Sequence, residues 1–371
     1  MVKKALTLRA RQVLGIIRRR WVVSRATLIR DTGLSGTAVF RATEELEKEG
    51  LIRVGEAMAE GRGHPSAMIH LLPDAVFSVG LSVMADRAEA VLVDLSGQIR
   101  ACADVSVAGL GRVQVLERCY GFALRALAAQ DAPLQRLAGV GVAIAGYFVD
   151  DGTVNPSPEL EDWALRDFGP EFQQRFRAPV KIENVASAAA MGEYLLGLGN
   201  EHPSFCYLNF SMGFGGGIVI DGQLLRGRFG NAGELAGLIN ATGLPVPHLA
   251  GLLHSVNRRG AAFTSLKEML GAFDPDQPGV QDWLHAHAPT FQFLFSALRH
   301  TLDVDAIVLG GLMPAALAER IIATVRWHEQ LVVPRRLRAP PAPVLCASRL
   351  PPETTAPVGA ATLLFSDLLS A

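Results

Sequence analysis

Residues 181–194 read KIENVASAAAMGEY. The stretch is the end of a buried strand passing into a helix, with two polar residues, Glu183 and Asn184, at the junction. In an open α/β sheet ligands collect just beyond the carboxyl ends of the strands, so polar side chains at such a point invite a chemical reading. The next residue is Val185, which carries no polar atom on its side chain. Whether the junction catalyses or only holds is therefore the first question the chain raises.

Outward from this point strands and helices alternate. On the amino-terminal side, VFSVGLSV (76–83) and EAVLVDLSG (89–97) look like paired strands closed by a turn at Ser96-Gly97. A helix over 112–129 follows, and then LAGVGVAIAGYF (137–148), a buried strand ending in Gly146. On the carboxyl side, FCYLNFSMGFGGGIVIDGQLLRG (205–227) is a strand, a glycine-rich turn and a returning strand. AIVLGGL (306–312) is a late buried strand before a helix around 316–328. Alternation of this kind predicts an α/β fold of two lobes, each a hairpin-bearing sheet with flanking helices.

The first seventy residues follow a different rule. Val13, Leu14, Ile16 and Ile17 recur at helical spacing, and the helix they imply ends near Arg20 and Trp21. Ser24 can cap a second helix that Gly33 stops, and Ser35 can cap a third, SGTAVFRATEELEKEG, with Gly50 as its stop. LIRVGEA and SAMIHLL then flank MAEGRGHP, which reads as a hairpin wing with a basic tip. Together these predict a winged helix-turn-helix. Residues 1–30 hold nine Lys or Arg, among them Arg9, Arg25 and Arg30, and no Asp or Glu, on a chain of net charge −1, so a polyanion partner is expected for that end alone. The third helix would enter the DNA major groove with Ser35, Gly36, Thr37, Ala38 and Arg41 near its leading end. Arg11, Arg18, Arg19, Arg20, Arg62 and His64 are the expected phosphate contacts, supplying salt-dependent affinity more than sequence information, and Arg25 is also expected at the DNA. A small helical domain for protein contacts, with solvated arginines, is the plainer alternative.

Composition bounds the rest. A chain of 371 residues suggests two or three domains, and 49% hydrophobic against 19% charged residues fits a well-packed soluble protein. Apolar runs are too short for a membrane span, and Arg9 and Arg11 interrupt any signal-like start, so a cytoplasmic location without membrane contact is expected. Cys102, Cys119, Cys206 and Cys346 form no CxxC pair, which predicts neither a disulfide framework nor a zinc site.

The succession of helix-turn-helix, wing, VLVDLSG, NPSPELEDW, KIENVASAAAMGEY, GFGGGIVIDGQLLRG, NAGELAG, IVLGG and VGAA resembles the ROK family of bacterial repressors and sugar kinases, over almost the whole chain. The resemblance implies a winged helix-turn-helix over residues 1–72 followed by a two-lobed, actin-like, ribonuclease H-like ATPase domain with sugar bound between the lobes. The first lobe would span 73–187, completed by 355–371, and the second 188–354.

In the kinases of that family an Asp follows the Asn in the motif matching Ile182 to Val185 and serves as general base on the attacking sugar hydroxyl. A base must bring a lone pair within hydrogen-bond reach of that proton, and Val185 has none. The kinases' first phosphate-binding turn, G-x-D-x-G-G-T, falls on GLSVMADRA, where Ser82 replaces the Asp, Met84 and Ala85 the glycines, and Asp86 the Thr. The second turn keeps Gly213, Gly215, Gly216 and Gly217, and Gly310 and Gly311 also persist; tight turns with positive φ would explain them without a nucleotide. On the sugar side the resemblance points to Glu159, standing in for an Asn, Asn184, and Glu234 of the AGE motif. Carboxylates and amides suit hydroxyl partners. Asn184 could equally cap its helix, and Glu234 could anchor the lobe interface. The family's next His falls on Gly237, its cysteine-rich zinc segment is replaced by LINATGLPVPHLAGLLHSVNRRG, and His248 and His254 are poorly spaced for a metal.

The expectation is a transcriptional regulator, a repressor that binds double-stranded DNA as a homodimer or higher homo-oligomer. A sugar or sugar-phosphate effector would sit in the cleft, with no catalytic residue, metal or cofactor. The alternatives are an ATP-dependent sugar kinase carrying a DNA-binding head, and a regulator whose cleft takes a protein.

Overall fold

The computed structural model describes residues 6–58, 66–150, 152–327, 341–352 and 354–369. The amino-terminal part contains helices α1 (Leu8–Arg20), α2 (Arg25–Thr32) and α3 (Gly36–Lys48). With them come strands β1 (Val22–Ser24), β2 (Ile52–Met58) and β3 (Ser66–Leu71), an antiparallel sheet in the order β1-β3-β2. The local chemistry sets the boundaries. Thr7, Ser24 and Ser35 each accept a backbone N–H of the first turn, from Ala10, Thr27 and Ala38. Gly33 ends α2 in the left-handed region at φ 67°, and Trp21 stops α1 at φ 64°. Arg62 and His64 lie outside the described residues.

Strands β4 (Phe77–Met84), β5 (Arg87–Asp94), β6 (Ile99–Asp104), β7 (Leu137–Ile144) and β10 (Val180–Asn184) form the first large sheet, in the order β10-β7-β4-β5-β6. Helices α4 (Arg112–Ala128) and α5 (Gly169–Phe176) cover one face, over a core that includes Phe77, Trp163 and Phe172. Two expectations are corrected here. The Ser96-Gly97 turn joins β5 to β6, so it does not close β4 on β5, and β6 went unread because IRACAD is a short, half-exposed edge strand whose apolar residues are mostly small. The strand expected to run to Gly146 ends at Ile144; Gly146, at φ 149°, redirects the chain into a small hairpin of β8 (Tyr147–Asp150) and β9 (Thr153–Asn155).

The second sheet runs β13 (Gln223–Leu224), β12 (Phe214–Ile220), β11 (Phe205–Phe210), β14 (Ala306–Gly311) and β15 (Val344–Ala347). Its core is shared with α7 (Leu235–Asn240), α8 (Leu249–Arg258), α9 (Leu266–Gly271), α10 (Pro278–Leu302) and α11 (Ala315–Thr324). The helix expected over 316–328 thus ends earlier, at Thr324.

Two helices lie between the sheets. α6 (Val185–Leu196) packs on β11 and β12, α12 (Thr355–Leu369) packs on β4, β5, β7 and β10, and the two helices pack on each other. Small residues permit this: a Cβ on Gly359 would stand 1.8 Å from the Ala188 carbonyl oxygen, and one on Gly141 1.8 Å from that of Ala360. The amino-terminal part is not a separate bead. Leu14, Ile17 and Leu28 share one continuous core with Val91 and Val93 of β5 and with Val358 and Phe365 of α12.

Candidate functional site

The carboxyl ends of β4, β7, β10 and β11 open on a cleft of about 490 Å³ between the two sheets. Glu159, Asn184 and Glu234, far apart in sequence, all line it, together with Asp86, Asn155 and Asn209. Asn209 was not singled out from the sequence; the available signal was a lone amide inside the otherwise apolar strand FCYLNF.

Asn184 is the N-cap of α6. Its Oδ1 accepts the Ala186 N–H at 2.7 Å and the Ser187 N–H at 3.5 Å, and its Nδ2 donates to the Gly146 carbonyl at 2.6 Å. The capping alternative therefore holds, and the amide retains one N–H for another partner. Val185, 3% exposed, is the next wall residue and begins α6. Glu234 keeps a solvent-exposed edge, and partial desolvation within the cleft raises its carboxyl pKa. The exposed Glu159 carboxyl is held below the usual range by the adjacent Ser157 hydroxyl. The two shifts have opposite signs: relative to a free carboxyl, Glu159 favours its charged form and Glu234 its neutral form.

The turn after β4 presents a thioether and a carboxylate to the cleft. Met84, Ala85 and Asp86 form the wall, Asp86 pairs with Arg87 at 3.0 Å, and Ser82 is fully buried beneath them. The glycines of the second turn need a different explanation from the one expected: Gly213, Gly215, Gly216 and Gly217 all have ordinary φ, and among these retained glycines only Gly311, at φ 74°, has a positive value. Gly216 and Gly217 are required by close packing, against Leu235 and against the Ala186 carbonyl of α6. A Cβ on Gly213 would meet nothing within 4 Å, and one on Gly215 only Ala186 at 3.7 Å, so this backbone is open to the cleft. His248 caps α8 by accepting the Gly251 N–H at 2.9 Å, and His254 is exposed.

Glu183 faces elsewhere. It is 2% exposed, accepts the Asn184 N–H at 2.9 Å, and pairs with Arg226 of the second lobe at 3.1 Å. Burial raises its pKa more than Arg226 lowers it. The folded chain thus binds this proton more tightly than the unfolded one. Its stabilising contribution is present below the unfolded carboxylate pKa and is lost as pH rises through the raised folded value. Glu183→Gln is accordingly expected to melt higher than the parent at pH 8, with the gap closing toward pH 4; a gap that widens on acidification would contradict this sign.

Among the basic residues of the amino-terminal part the structure corrects one expectation. Arg18 is 5% exposed and donates to the carbonyls of Ser96 and Leu195, so it is a buried link to the rest of the chain and not a phosphate contact. Arg11 is half-buried, donates to the Leu6 carbonyl and lines a crevice of about 750 Å³ with Lys181, Glu183 and Arg226. Arg19 is exposed, and Arg20 is exposed beside Asp31 at 2.6 Å. On α3, Gly36, Thr37 and Arg41 are exposed and Ala38 is half-buried, while Ser35 spends its hydroxyl on the cap. Phe40, exposed on the same helix, was not read from the sequence; the Arg25 guanidinium lies 5.0 Å from its ring.

The ROK family model matches residues 78–242, which include the strands that open on the cleft and its Asn184 and Glu234. These residues are a ROK family domain. The chain is 28% identical over 218 residues to the xylose repressor of Bacillus subtilis, an alignment covering 57% of this chain and 55% of that protein. It is 38% identical over 99 residues to the glucokinase of Streptomyces coelicolor, covering 26% of this chain and 31% of the enzyme. The match thus spans about half the length of the repressor and a third of the kinase. A crystal structure of a ROK family transcriptional regulator, a homologue of the Escherichia coli MLC protein, superposes with a TM-score of 0.71 at 19% identity, covering 98% of this chain and 97% of that one. That likeness shows a mixed α/β, actin-like ROK fold. No described helix is long and apolar enough to cross a membrane.

Proposed function

We propose that this chain is a DNA-binding transcriptional repressor whose inter-lobe cleft holds a sugar or sugar-derived ligand without phosphorylating it. The observation that carries the reading is Val185: an aliphatic side chain, buried in the cleft wall directly after the capping Asn184, stands where the family resemblance implies a general base. The repressor among its relatives and the regulator whose fold it shares support the same reading. Glu159, Asn184 and Glu234, with Asn155 and Asn209, offer carboxylate and amide partners to hydroxyl groups from both lobes. Residues 7–71 act as a winged helix-turn-helix head, with α3 in the major groove and Thr37, Phe40 and Arg41 at base edges. Arg25, Arg19 and Arg20 supply phosphate contacts. Two heads in a dimer read a palindromic site.

Two measurements test this. Melting of the whole chain against a panel of sugars and sugar phosphates should give a hit whose stabilisation approaches about 2.7 kcal/mol at a hundredfold excess over its Kd. That hit should weaken binding to a palindromic duplex selected from random DNA, and Arg41→Ala should cost about 1–3 kcal/mol of that binding. A panel with no hit removes the effector, and failure to select any duplex removes the head.

A second reading rests on the open backbone at Gly213 and Gly215, which could admit a nucleotide. It makes the chain a sugar kinase, with Asp86, Glu159 or Glu234 as the base. A coupled assay with ATP, magnesium and the same panel separates the two, because turnover that vanishes in Glu234→Gln would replace the first reading with the second.

A further inference from the structure

We infer that Arg18 is a positioning residue, the joint through which the cleft sets the pose of the DNA-binding head, with α6 as the strut between them. The inference rests on the cleft being the effector site, although its test needs no effector. The two ends of α6 are tied to different things. At its amino end Asn184 caps the helix on the cleft wall and holds the Gly146 carbonyl. At its carboxyl end the Leu195 carbonyl, one of the last-turn oxygens that no helical N–H can reach, accepts Arg18 Nη2 at 2.9 Å. Twelve residues at about 1.5 Å each separate the two ends by about 18 Å.

The other nitrogen of the same guanidinium donates to the Ser96 carbonyl at 3.2 Å, in the β5–β6 turn of the first sheet. One side chain of α1 thus spans two bodies, the sheet of the first lobe and the helix between the lobes. The site is built for a cation. Arg18 is 5% exposed, it faces the negative end of the α6 dipole, and its burial is severe enough to lower its pKa to about 10, at which it still carries its charge at neutral pH. A side chain retained only for packing would not need a guanidinium there. α6 itself has little freedom to bend away, because Ala188 and Gly359 bring it into backbone contact with α12, and Gly217 brings β12 onto Ala186. Relative motion of α6 and the first sheet must therefore stretch one of the two Arg18 bonds or drag α1.

The test is a double-mutant cycle read by hydrogen exchange of the full-length chain: parent, Asn184→Ala, Arg18→Met and the double variant. Losing the cap frays α6 at the cleft. In the Arg18 background this should speed amide exchange over residues 13–20 by at least about fivefold, the lower edge of ordinary coupling between sites. In the Arg18→Met background the same change should leave exchange there within about twofold, since nothing then carries it. Arg18→Lys, which keeps a cation at the end of α6 with fewer donors, should give an intermediate effect; it also carries the comparison should Arg18→Met leave α1 exchanging at the unfolded rate. An Asn184→Ala effect equal in all backgrounds, or absent in the parent, overturns the joint. Melting of the same proteins against the full panel of sugars and sugar phosphates keeps the two ideas apart: coupling with no hit in the panel sinks the effector reading alone, and a hit without coupling sinks the joint alone.

Discussion

Asp94→Ala is expected to destabilise the chain by about 1–3 kcal/mol, the range for leaving a buried hydrogen-bonding group without its partner. The Asp94 side chain is fully buried at the end of β5. Its Oδ1 accepts the backbone N–H groups of Ser96, Gly97 and Gln98 and the Ser96 hydroxyl, and its Oδ2 accepts Arg100 Nε at 2.6 Å. Truncation leaves the buried Ser96 N–H without its acceptor, and it takes one of two acceptors from the Gly97 N–H, the Gln98 N–H and Arg100, which keep the Asp94 carbonyl, the Ser96 hydroxyl and Asp74. The turn it organises also presents the Ser96 carbonyl to Arg18, so the loss should reach the amino-terminal helices. Thermal melting checks the magnitude, and hydrogen exchange over residues 8–20 checks the reach. Asp94→Asn, which keeps an acceptor, should fall between. A melting point equal to the parent's would mean that water replaces the carboxylate and the turn is not an anchor.

Gly359→Val should be as damaging for a different reason. A Cβ at this position would lie 1.8 Å from the Ala188 carbonyl oxygen, and that obstacle is the backbone of a helix, which cannot rotate out of the way. Overpacking of a close-packed core costs about 1–3 kcal/mol and occasionally more, and a β-branched side chain at a backbone contact between two central helices belongs at or above that upper end. Because α6 and α12 lie between the sheets, forcing them apart also shifts both lobes. Gly213→Ala is the matched control: with ordinary φ and nothing within 4 Å, it should stay within about 0.5 kcal/mol of the parent. Equal melting of both variants would show that the helices can separate freely. Preserved stability in Gly359→Val would also remove the rigid strut on which the role of Arg18 depends.

Much of the architecture was legible in residue order because local rules fixed it. Ser24, Gly33 and Ser35 punctuate the amino-terminal helices where a cap or a left-handed residue is needed, and the strands around the junction at 181–194 carry apolar runs with glycine at their ends. β6 escaped because its alternating residues, Ile99, Ala101 and Ala103, are mostly small and its edge is half-exposed, which makes a weak signal. Phe40 and Asn209 escaped because one exposed ring and one amide in an apolar strand are signals only once their neighbours are known.

The arginines mark the boundary most clearly. Arg18, Arg19 and Arg20 are identical letters in a row, and a charge run predicts three solvated cations. Helical geometry turns successive residues by about 100°, so one of them must point away from the others, and only the packing of α1 on β5 and α12 decides that Arg18 is the one buried. The chain's own letters determined that a proton-accepting group is missing after Asn184, because Val185 has no lone pair in any fold. Which carbonyl the Asn184 amide holds, which carbonyls receive Arg18, and which distant carboxylates share the cleft were settled by contacts between segments more than a hundred residues apart in some cases, and such contacts exist only once the sheets have closed around α6 and α12.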